Sequence, residues 1–339
     1  MDVYGEPLEA NPAECRPVFV VGMNGSGTSM LADCLGRHSG LYAGTKETRV
    51  IPYLIARASQ FGDLGDDKHF LELWRTVTTI LALQRMNGSR PVPIPENWRE
   101  FPRNVASVVD GVFRQLARRH GKNRWGEKTP QNVQHMPVLH GAFPGARFIH
   151  IIRDGRDCAA SFHRRWLKTP ELTMYRWKHV VRAGRRDGAA LGDRCMEVRY
   201  EDLTAAPEQW MRSICEFLGL PFESAVLYSG RPQNANQSGL PRIERNSERW
   251  RSYFTKRELE RLERIGGVVL QEQGYPVEFA PGDKDPSQFY LKCWDARDNT
   301  RQLVDSVLHG RPGRTRIEAL SDIGRWLKAA YKQRQLNRY

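Results

Sequence analysis

The sequence predicts an α/β fold, with a parallel β-sheet flanked by helices, a helical insertion and a helical C-terminal extension. Three short predicted strands, the first of them apolar throughout, alternate with stretches of helical periodicity, which is typical of a parallel sheet. The strands are expected at Val18–Val21, Ala146–Ile152 and Met196–Tyr200. Ligands of such sheets bind at the carboxyl ends of the strands. The residues that follow these segments are therefore the first candidates for a functional site.

The first strand runs into a glycine-rich loop, after which a helix is expected to stop near Gly40. Glycines allow the backbone to approach an anion closely, and the helix N-terminus and hydroxyl groups add donors. The spacing equals that of a Walker A P-loop, but Thr28 occupies the lysine position, which argues against ATP hydrolysis. A tight strand-to-helix turn without a ligand is the alternative. The residues expected to bind phosphate are Gly22, Asn24, Gly25, Ser26, Gly27, Thr28 and Ser29.

A second candidate anion site follows the strand that ends at Ile152. Arg153 comes at the carboxyl end of that strand. If a helix begins near Arg156, then Ser161 and Arg165 lie one turn apart on one face. Arginine binds phosphate with two parallel hydrogen bonds, so Arg153, Ser161 and Arg165 are expected to bind one dianion. A salt-bridged surface turn is the alternative.

Helical periodicity dominates a predicted insertion from about 53 to 120. Apolar residues three and four positions apart predict one helix from Phe70 to Leu81 and a second from Val105 to Leu116. Further along, Pro207 is expected in the first turn of a helix, and Thr255-Lys-Arg-Glu258 has the pattern of a capping box.

The predicted domain organisation has three parts. Residues 1–16 form a flexible N-terminal arm, residues 17–281 form the α/β domain, and residues 282–339 form a basic helical extension. The extension is expected to pack on the core, form a dimer contact or bind a partner. A homodimer is therefore one of the open alternatives.

Composition and charge narrow the partners. The formal net charge of +13 indicates anionic partners, although a role in solubility alone is the alternative. Lys and Arg are spread along the whole chain, so no nucleic-acid binding is expected. No run of about 18 apolar residues and no secretion signal is visible, so no membrane span and a cytoplasmic location are expected. The six cysteines are far apart, and neither a disulfide framework nor a metal site is expected.

Taken together, the motifs resemble those of the sulfotransferases that use 3′-phosphoadenosine-5′-phosphosulfate (PAPS). The matching segments are Val21-Gly-Met-Asn-Gly-Ser-Gly-Thr-Ser29, Ile151-Ile-Arg-Asp-Gly-Arg-Asp157 and Val198-Arg-Tyr-Glu-Asp-Leu203. The resemblance covers roughly residues 17 to 276. It implies that the first loop binds the 5′-phosphosulfate and that Arg153, Ser161 and Arg165 bind the 3′-phosphate.

Two further segments resemble the tyrosylprotein sulfotransferase branch of this family. They are Glu47-Thr-Arg-Val-Ile-Pro52 and Gly126-Glu-Lys-Thr-Pro130. The resemblance implies that Glu47 is the general base, Arg49 contacts substrate or sulfate, and Lys128 is the cation on the phosphosulfate. It also implies a cofactor contact from Tyr200. Residues 245–250 resemble a later segment that adds a cofactor contact in the family, with an ordinary surface loop as the alternative.

One position departs from the family pattern. Family members usually carry Pro followed by Arg or Lys in the first loop, where this chain has Asn24 and Gly25. Loss of one such donor costs ~3 kcal/mol of transition-state stabilisation if nothing compensates. The expected replacements are Lys128 and Arg49, with Lys46 as a weaker candidate.

The expected function is metal-independent transfer of a sulfuryl group from PAPS to an acceptor hydroxyl. A peptide tyrosine, a carbohydrate and a small molecule all remain open as acceptor, as does an acidic acceptor. One alternative is a P-loop kinase or NTPase, which would use ATP and Mg²⁺. The other is a catalytically silent nucleotide-binding protein, which the missing loop cation motivates.

Overall fold

The computed structural model describes residues 16–44, 46–230 and 242–308. Its centre is a five-stranded sheet in which every neighbouring pair is parallel, with the strand order β2-β3-β1-β4-β5. This confirms the predicted fold class. The strands are β1 (Val18–Gly22), β2 (Leu41–Gly44), β3 (Arg124–Lys128), β4 (Arg147–Ile152) and β5 (Cys195–Arg199).

Helices follow most strands and fill the predicted insertion. Short 3₁₀ segments connect several of them. The α-helices are α1 (Thr28–Gly36), α2 (Ile51–Ala56), α3 (Asp67–Thr78), α4 (Leu81–Met86), α5 (Val105–Arg119), α6 (Met136–Ala142), α7 (Gly155–Trp166), α8 (Pro170–Leu191), α9 (Tyr200–Ala205), α10 (Pro207–Leu218), α11 (Trp250–Tyr253), α12 (Lys256–Glu272) and α13 (Gln288–Leu308).

Strand β1 lies at the centre of the sheet and is buried on both faces. Because side chains alternate along a strand, Phe19 and Val21 join the apolar cluster that contains α3 and α5. Val18 and Val20 join the cluster on the other face, with residues of α1 and α10. The unbroken apolar run predicted from the sequence thus reflects two cores on one strand.

Several predicted boundaries move in the structure. Helix α1 ends at Gly36 rather than near Gly40, because residues 37–40 turn into strand β2. The helix expected from Phe70 to Leu81 divides into α3 and α4. At the division the hydroxyls of Thr78 and Thr79 donate to the carbonyl of Arg75 at 3.1 and 2.8 Å, competing with the backbone ladder.

Two helix starts are confirmed. Pro207 lies in the first turn of α10. Thr255 and Glu258 form the capping box of α12, where the Thr255 amide donates to Glu258 Oε2 at 2.8 Å. Strand β5 ends one residue early, and Tyr200 begins α9.

The chain divides into two compact units. Unit 1 comprises residues 1–158 and 177–249 and contains the whole sheet. Unit 2 comprises residues 159–176 and 250–339. Within unit 2, Asp298 is buried and accepts hydrogen bonds from the amide and the hydroxyl of Thr169.

The predicted boundaries at residues 16 and 281 stay predictions. Residues 1–15 of the arm lie outside the described residues. The extension is described only through helix α13, so the rest of its predicted helical pattern also lies outside them. Among the described helices, none combines the length and the apolar character needed to cross a bilayer.

Candidate functional site

The parallel sheet brings several chain segments to one edge. The carboxyl ends of all five strands lie there, and each is followed by a sequence-predicted site residue or segment. The segments are the glycine loop after β1, residues 46–49 after β2, Lys128 at the end of β3, Arg153 after β4 and Tyr200 after β5.

Close backbone approach explains two of the loop glycines. A Cβ on Gly22 would lie 2.4 Å from the carbonyl oxygen of Ile151, and a Cβ on Gly27 would lie 2.5 Å from the ring of Tyr200. Gly25 and Gly27 have φ values of 90° and 102°, which side-chain-bearing residues rarely adopt. The loop is therefore wrapped closely against strand β4 and Tyr200.

Polar groups in the loop are available to an anion. Ser26 is buried, and within the part of the chain that the structure describes its hydroxyl has no hydrogen-bond partner. Oδ1 of Asn24 also has no partner among the described residues, but as a hydrogen-bond acceptor it does not itself bind an anion. Thr28 begins helix α1 and is buried, whereas Ser29 is exposed. A buried hydroxyl without a partner, a tight glycine cradle and a helix N-terminus suit a phosphate group.

Lys128 and Glu47, both predicted catalytic residues, form a largely buried ion pair at this edge of the sheet. Lys128 Nζ lies 3.0 Å from Glu47 Oε1, and the side chains are 3% and 19% exposed. Glu47 Oε2 also accepts a hydrogen bond from Arg49 Nε at 2.7 Å. All three predicted catalytic residues are thus in contact.

The cations determine the protonation state of Glu47. Burial raises the pKa of its carboxyl, but the charge and hydrogen bond of Lys128 and the hydrogen bond from Arg49 together outweigh that effect. The pKa of Glu47 is consequently below its usual value, and the group is a carboxylate at neutral pH.

Arg153 joins the glycine loop to two other segments. Its guanidinium donates to the carbonyl oxygens of Gly25 at 3.2 Å and Asn246 at 2.5 Å. It also lies 3.6 Å from Asp157 Oδ2 and 4.3 Å above the ring centre of Tyr200. Burial raises the pKa of the Tyr200 phenol, so this residue is neutral beside the arginine.

The cation that contacts the glycine loop in the structure is not one of the replacements predicted from the sequence. Lys46, the weaker candidate, is exposed and donates to the Arg85 carbonyl at 2.7 Å. Lys128 is directed to Glu47 instead of the loop. Among the described residues, Arg153 is the cation shown bonded to the loop itself, at Gly25.

Ser161 and Arg165 both lie on helix α7, one turn apart as predicted. Ser161 is buried and Arg165 is exposed. Both belong to unit 2, and their role as phosphate ligands stays a prediction.

Three contributors were not predicted as site residues. Asp157 binds Arg153, and it also accepts a hydrogen bond from the Glu248 amide at 2.8 Å. Asn246 lies in the segment that the sequence singled out only as a whole. Glu127 has a buried carboxyl group beside Lys128, and its place within the Gly126-Glu-Lys-Thr-Pro130 segment was the available signal.

The fold and the site define an α/β protein with a glycine-rich, anion-binding loop at the centre of a parallel sheet. More particularly, residues 17–224 match the family model described as "Sulfotransferase family". The match spans more than half of the chain, and the protein belongs to this family, as the motifs predicted.

Curated relatives carry related names. A protein-tyrosine sulfotransferase of Drosophila melanogaster is 29% identical over 242 residues, which are 68% of this chain and 44% of the relative. Protein-tyrosine sulfotransferase 1 of Danio rerio is 26% identical over 241 residues, which are 68% of this chain and 61% of the relative. The chain therefore spans about half to three-fifths of the length of these relatives.

Solved structures share the fold. The sulfotransferase domain of the Synechococcus PCC 7002 olefin synthase has a TM-score of 0.55 at 22% identity, covering 81% of this chain and 99% of that domain. The sulfotransferase domain of the curacin biosynthetic pathway has a TM-score of 0.51 at 19% identity, covering 78% and 99%. At these identities the likeness concerns the fold.

Proposed function

We propose that this protein transfers a sulfuryl group from PAPS to the hydroxyl of a peptide tyrosine. The observation that carries the proposal is the Lys128–Glu47 pair, an ionised carboxylate against a buried lysine at the sheet edge that holds the glycine loop. Membership of the sulfotransferase family supports the reaction class.

The arrangement supplies the parts that this reaction needs. PAPS, when bound, supplies the sulfuryl group and leaves as the 3′,5′-bisphosphate. Glu47 takes the proton of the acceptor hydroxyl while the hydroxyl oxygen forms its bond to sulfur. As the bond from sulfur to the bridging oxygen breaks, negative charge grows on the 5′-phosphate. Lys128 and the loop amides stabilise this charge.

The roles of Lys128 and Glu47 are therefore coupled. In the free protein the charge of Lys128 holds the pKa of Glu47 below its ordinary value, which makes Glu47 a weak base. When an anion draws Lys128 away, the burial of Glu47 is less opposed and its basicity rises. Binding of the donor thus prepares the base.

The acceptor is proposed from two observations. Several curated relatives are named protein-tyrosine sulfotransferases. The formal net charge of +13 favours an acidic partner over a neutral one. We therefore propose a tyrosine flanked by acidic residues, in preference to a carbohydrate or a small phenol.

The direct test is incubation with ³⁵S-labelled PAPS and a matched set of acceptors. The set contains a tyrosine peptide with acidic flanks, the same peptide with Phe in place of Tyr, a tyrosine peptide with neutral flanks, a carbohydrate and a small phenol. Label is expected on the acidic tyrosine peptide and not on its Phe counterpart. No label on any acceptor, together with no thermal shift from the bisphosphate, refutes the proposal.

A catalytically silent nucleotide-binding protein is the second candidate, and Gly25 favours it because the usual loop cation is missing there. Bisphosphate binding without transfer, unaffected by Glu47→Gln, is the result that would support it. A kinase or NTPase is less favoured, since Thr28 stands at the lysine position. Thermal protection by ATP–Mg²⁺ but not by the bisphosphate would support that alternative.

Three remaining expectations continue as proposals. They are the cytoplasmic location, the homodimer and a reaction without metal. Within the described ranges no group of three His, Cys, Asp or Glu side chains is arranged to hold a metal ion.

A further inference from the structure

The end of strand β3 holds the segment that carries Glu47. Residues 127–129 contact residues 47–49 one after another, although the two segments are about 80 positions apart in the sequence. Lys128 contacts the Glu47 carboxylate, as described above. The residues on either side of Lys128 contact the next two residues of the segment.

Glu127 is the centre of these contacts. It is 2% exposed, and its carboxylate accepts four hydrogen bonds. Oε1 accepts from the amide and the hydroxyl of Thr48 at 3.1 and 3.0 Å, and from the Thr129 hydroxyl at 2.5 Å. Oε2 accepts from Asn132 Nδ2 at 2.9 Å. Burial raises the pKa of the Glu127 carboxyl group, and the hydrogen bonds from Thr129 and Thr48 oppose that effect.

The same network reaches Arg49. The amide of Arg49 donates to Thr129 Oγ1 at 3.3 Å, and the single proton of that hydroxyl is donated to Glu127. The Thr48 amide therefore binds the Glu127 carboxyl group directly, and the Arg49 amide is linked to it through the Thr129 hydroxyl. Arg49 has a φ of 58°, a left-handed conformation that a residue with a side chain adopts only when its surroundings impose it.

Neighbouring residues of a strand point to opposite faces of the sheet. At the end of β3, Lys128 therefore pairs with the charged side chain of Glu47, whereas Glu127 binds the backbone next to Glu47.

We propose that Glu127 is a positioning residue, which sets Glu47 against Lys128 by holding the backbone of residues 48 and 49. The role of Glu47 as general base rests on the function proposed above, whereas its positioning by Glu127 rests only on the contacts. Loss of Glu127 would release the two amides and the left-handed turn and leave Glu47 with several orientations.

Amide hydrogen exchange tests the positioning without any turnover. In Glu127→Ala, the amides of Thr48 and Arg49 are expected to exchange about tenfold faster, while those of β1 keep their protection. Asp110→Ala is the matched control, since Asp110 is also a buried carboxylate of unit 1 but binds the Trp125 indole at 2.7 Å. Unchanged exchange at residues 48 and 49 in folded Glu127→Ala overturns the proposal.

Two milder variants cover the case in which Glu127→Ala does not fold. Thr129→Val removes only the bridging hydroxyl, so exchange should rise at Arg49 and not at Thr48. Glu127→Gln keeps an acceptor for the Thr48 amide and should protect this amide better than Ala does. Equal exchange in Thr129→Val and the wild type also overturns the proposal.

Kinetics separate positioning from general structural damage. Misplacement of a reacting group costs about 10²-fold in rate. We expect Glu127→Ala to lose that factor in kcat, with KM for PAPS and bisphosphate affinity nearly unchanged and kcat largely restored in Glu127→Gln. A parallel loss of bisphosphate binding would indicate collapse of the site and contradict a positioning role. Absence of transfer in the wild type would refute the proposed function, while the exchange result would still decide the role of Glu127.

Discussion

Replacement of Lys128 by Met isolates the cation on which the site depends. The side chain keeps its length and its apolar stem but loses the ammonium group that lies 3.0 Å from Glu47. At an effective dielectric constant of ~20, two unit charges at that separation attract each other by ~5 kcal/mol. Desolvation of the buried lysine offsets much of this attraction.

The net effect on stability is expected to be moderate. Glu47 remains partly exposed and keeps its hydrogen bond to Arg49 in the variant. We therefore expect the free energy of unfolding to fall by ~2 kcal/mol, the usual contribution of a hydrogen bond to a charged group. Urea unfolding at pH 7 measures this difference.

The effect on the reaction is expected to be larger. Loss of a group that stabilises developing charge costs about 10²–10³-fold in kcat. In this variant only Arg49 opposes the effect of burial on the Glu47 carboxyl, so the pKa of Glu47 rises. Since the carboxylate form is the base, the acid limb of kcat/KM moves to higher pH in Lys128→Met.

The matched variant is Lys46→Met. Lys46 directly precedes Glu47, but its side chain is exposed and its ammonium group donates a hydrogen bond to the Arg85 carbonyl oxygen. This variant should keep the stability, the rate and the pH profile of the wild type. Wild-type transfer by Lys128→Met, or an equal loss in Lys46→Met, would refute the assignment of Lys128.

Three further predictions concern the base, the loop and the core. Glu47→Gln should lower kcat by about 10²–10⁴-fold. Its bisphosphate affinity, measured by calorimetry, should stay unchanged, and a matching loss of affinity would contradict the role of base. Gly27→Ala should abolish bisphosphate binding, because its methyl group would meet the Tyr200 ring at 2.5 Å, whereas Gly141→Ala has nothing within 4 Å and should bind normally. Burial lowers the pKa of His150 from 6.5 to about 4, so between these values the unfolded chain takes up a proton that the folded chain does not. Between pH 7 and pH 5 the wild type should therefore lose ~2 kcal/mol more unfolding free energy than His150→Leu, and parallel pH profiles of the two proteins would exclude this contribution.

The parts of the fold that the sequence predicted are those with a local signal. Strand β1 is a continuous apolar run and β4 is apolar except for Arg147 and His150, and both end at glycine-rich or charged turns, which is the pattern of strands buried on both faces. The glycine loop was predictable for the same reason, because each of its close backbone approaches requires a glycine. Family membership followed from these local motifs.

Strand β3 could not be predicted in this way. Its sequence, Arg124-Trp-Gly-Glu-Lys128, has two charged residues at its buried end, and such residues are rarely buried unless paired. Their partners come from residues 47–49, which only the folded chain brings near. Position 126 lies between two strands, where a Cβ would be 3.1 Å from the Val18 carbonyl oxygen. These contacts join residues far apart in the sequence, so the local periodicity of the sequence does not predict them.

The connection between Arg153 and the loop was hidden for a similar reason. The sequence placed Arg153 at a strand end, which the structure confirms, and assigned it to a second anion site. Its contacts with Gly25 and Asn246 span 128 and 93 positions in the chain. The strand order, with β4 beside β1, brings Arg153 next to Gly25, and Asn246 comes from a segment outside the sheet.

A crystal structure with the 3′,5′-bisphosphate product would show whether this edge of the sheet is the sulfuryl-donor site. We expect the 5′-phosphate on the amides of the glycine loop, with the Ser26 hydroxyl bonded to it. We also expect Lys128 Nζ to turn from Glu47 to a phosphate oxygen. A nucleotide bound elsewhere, or a 5′-phosphate in the loop with Lys128 still paired to Glu47, would contradict this expectation.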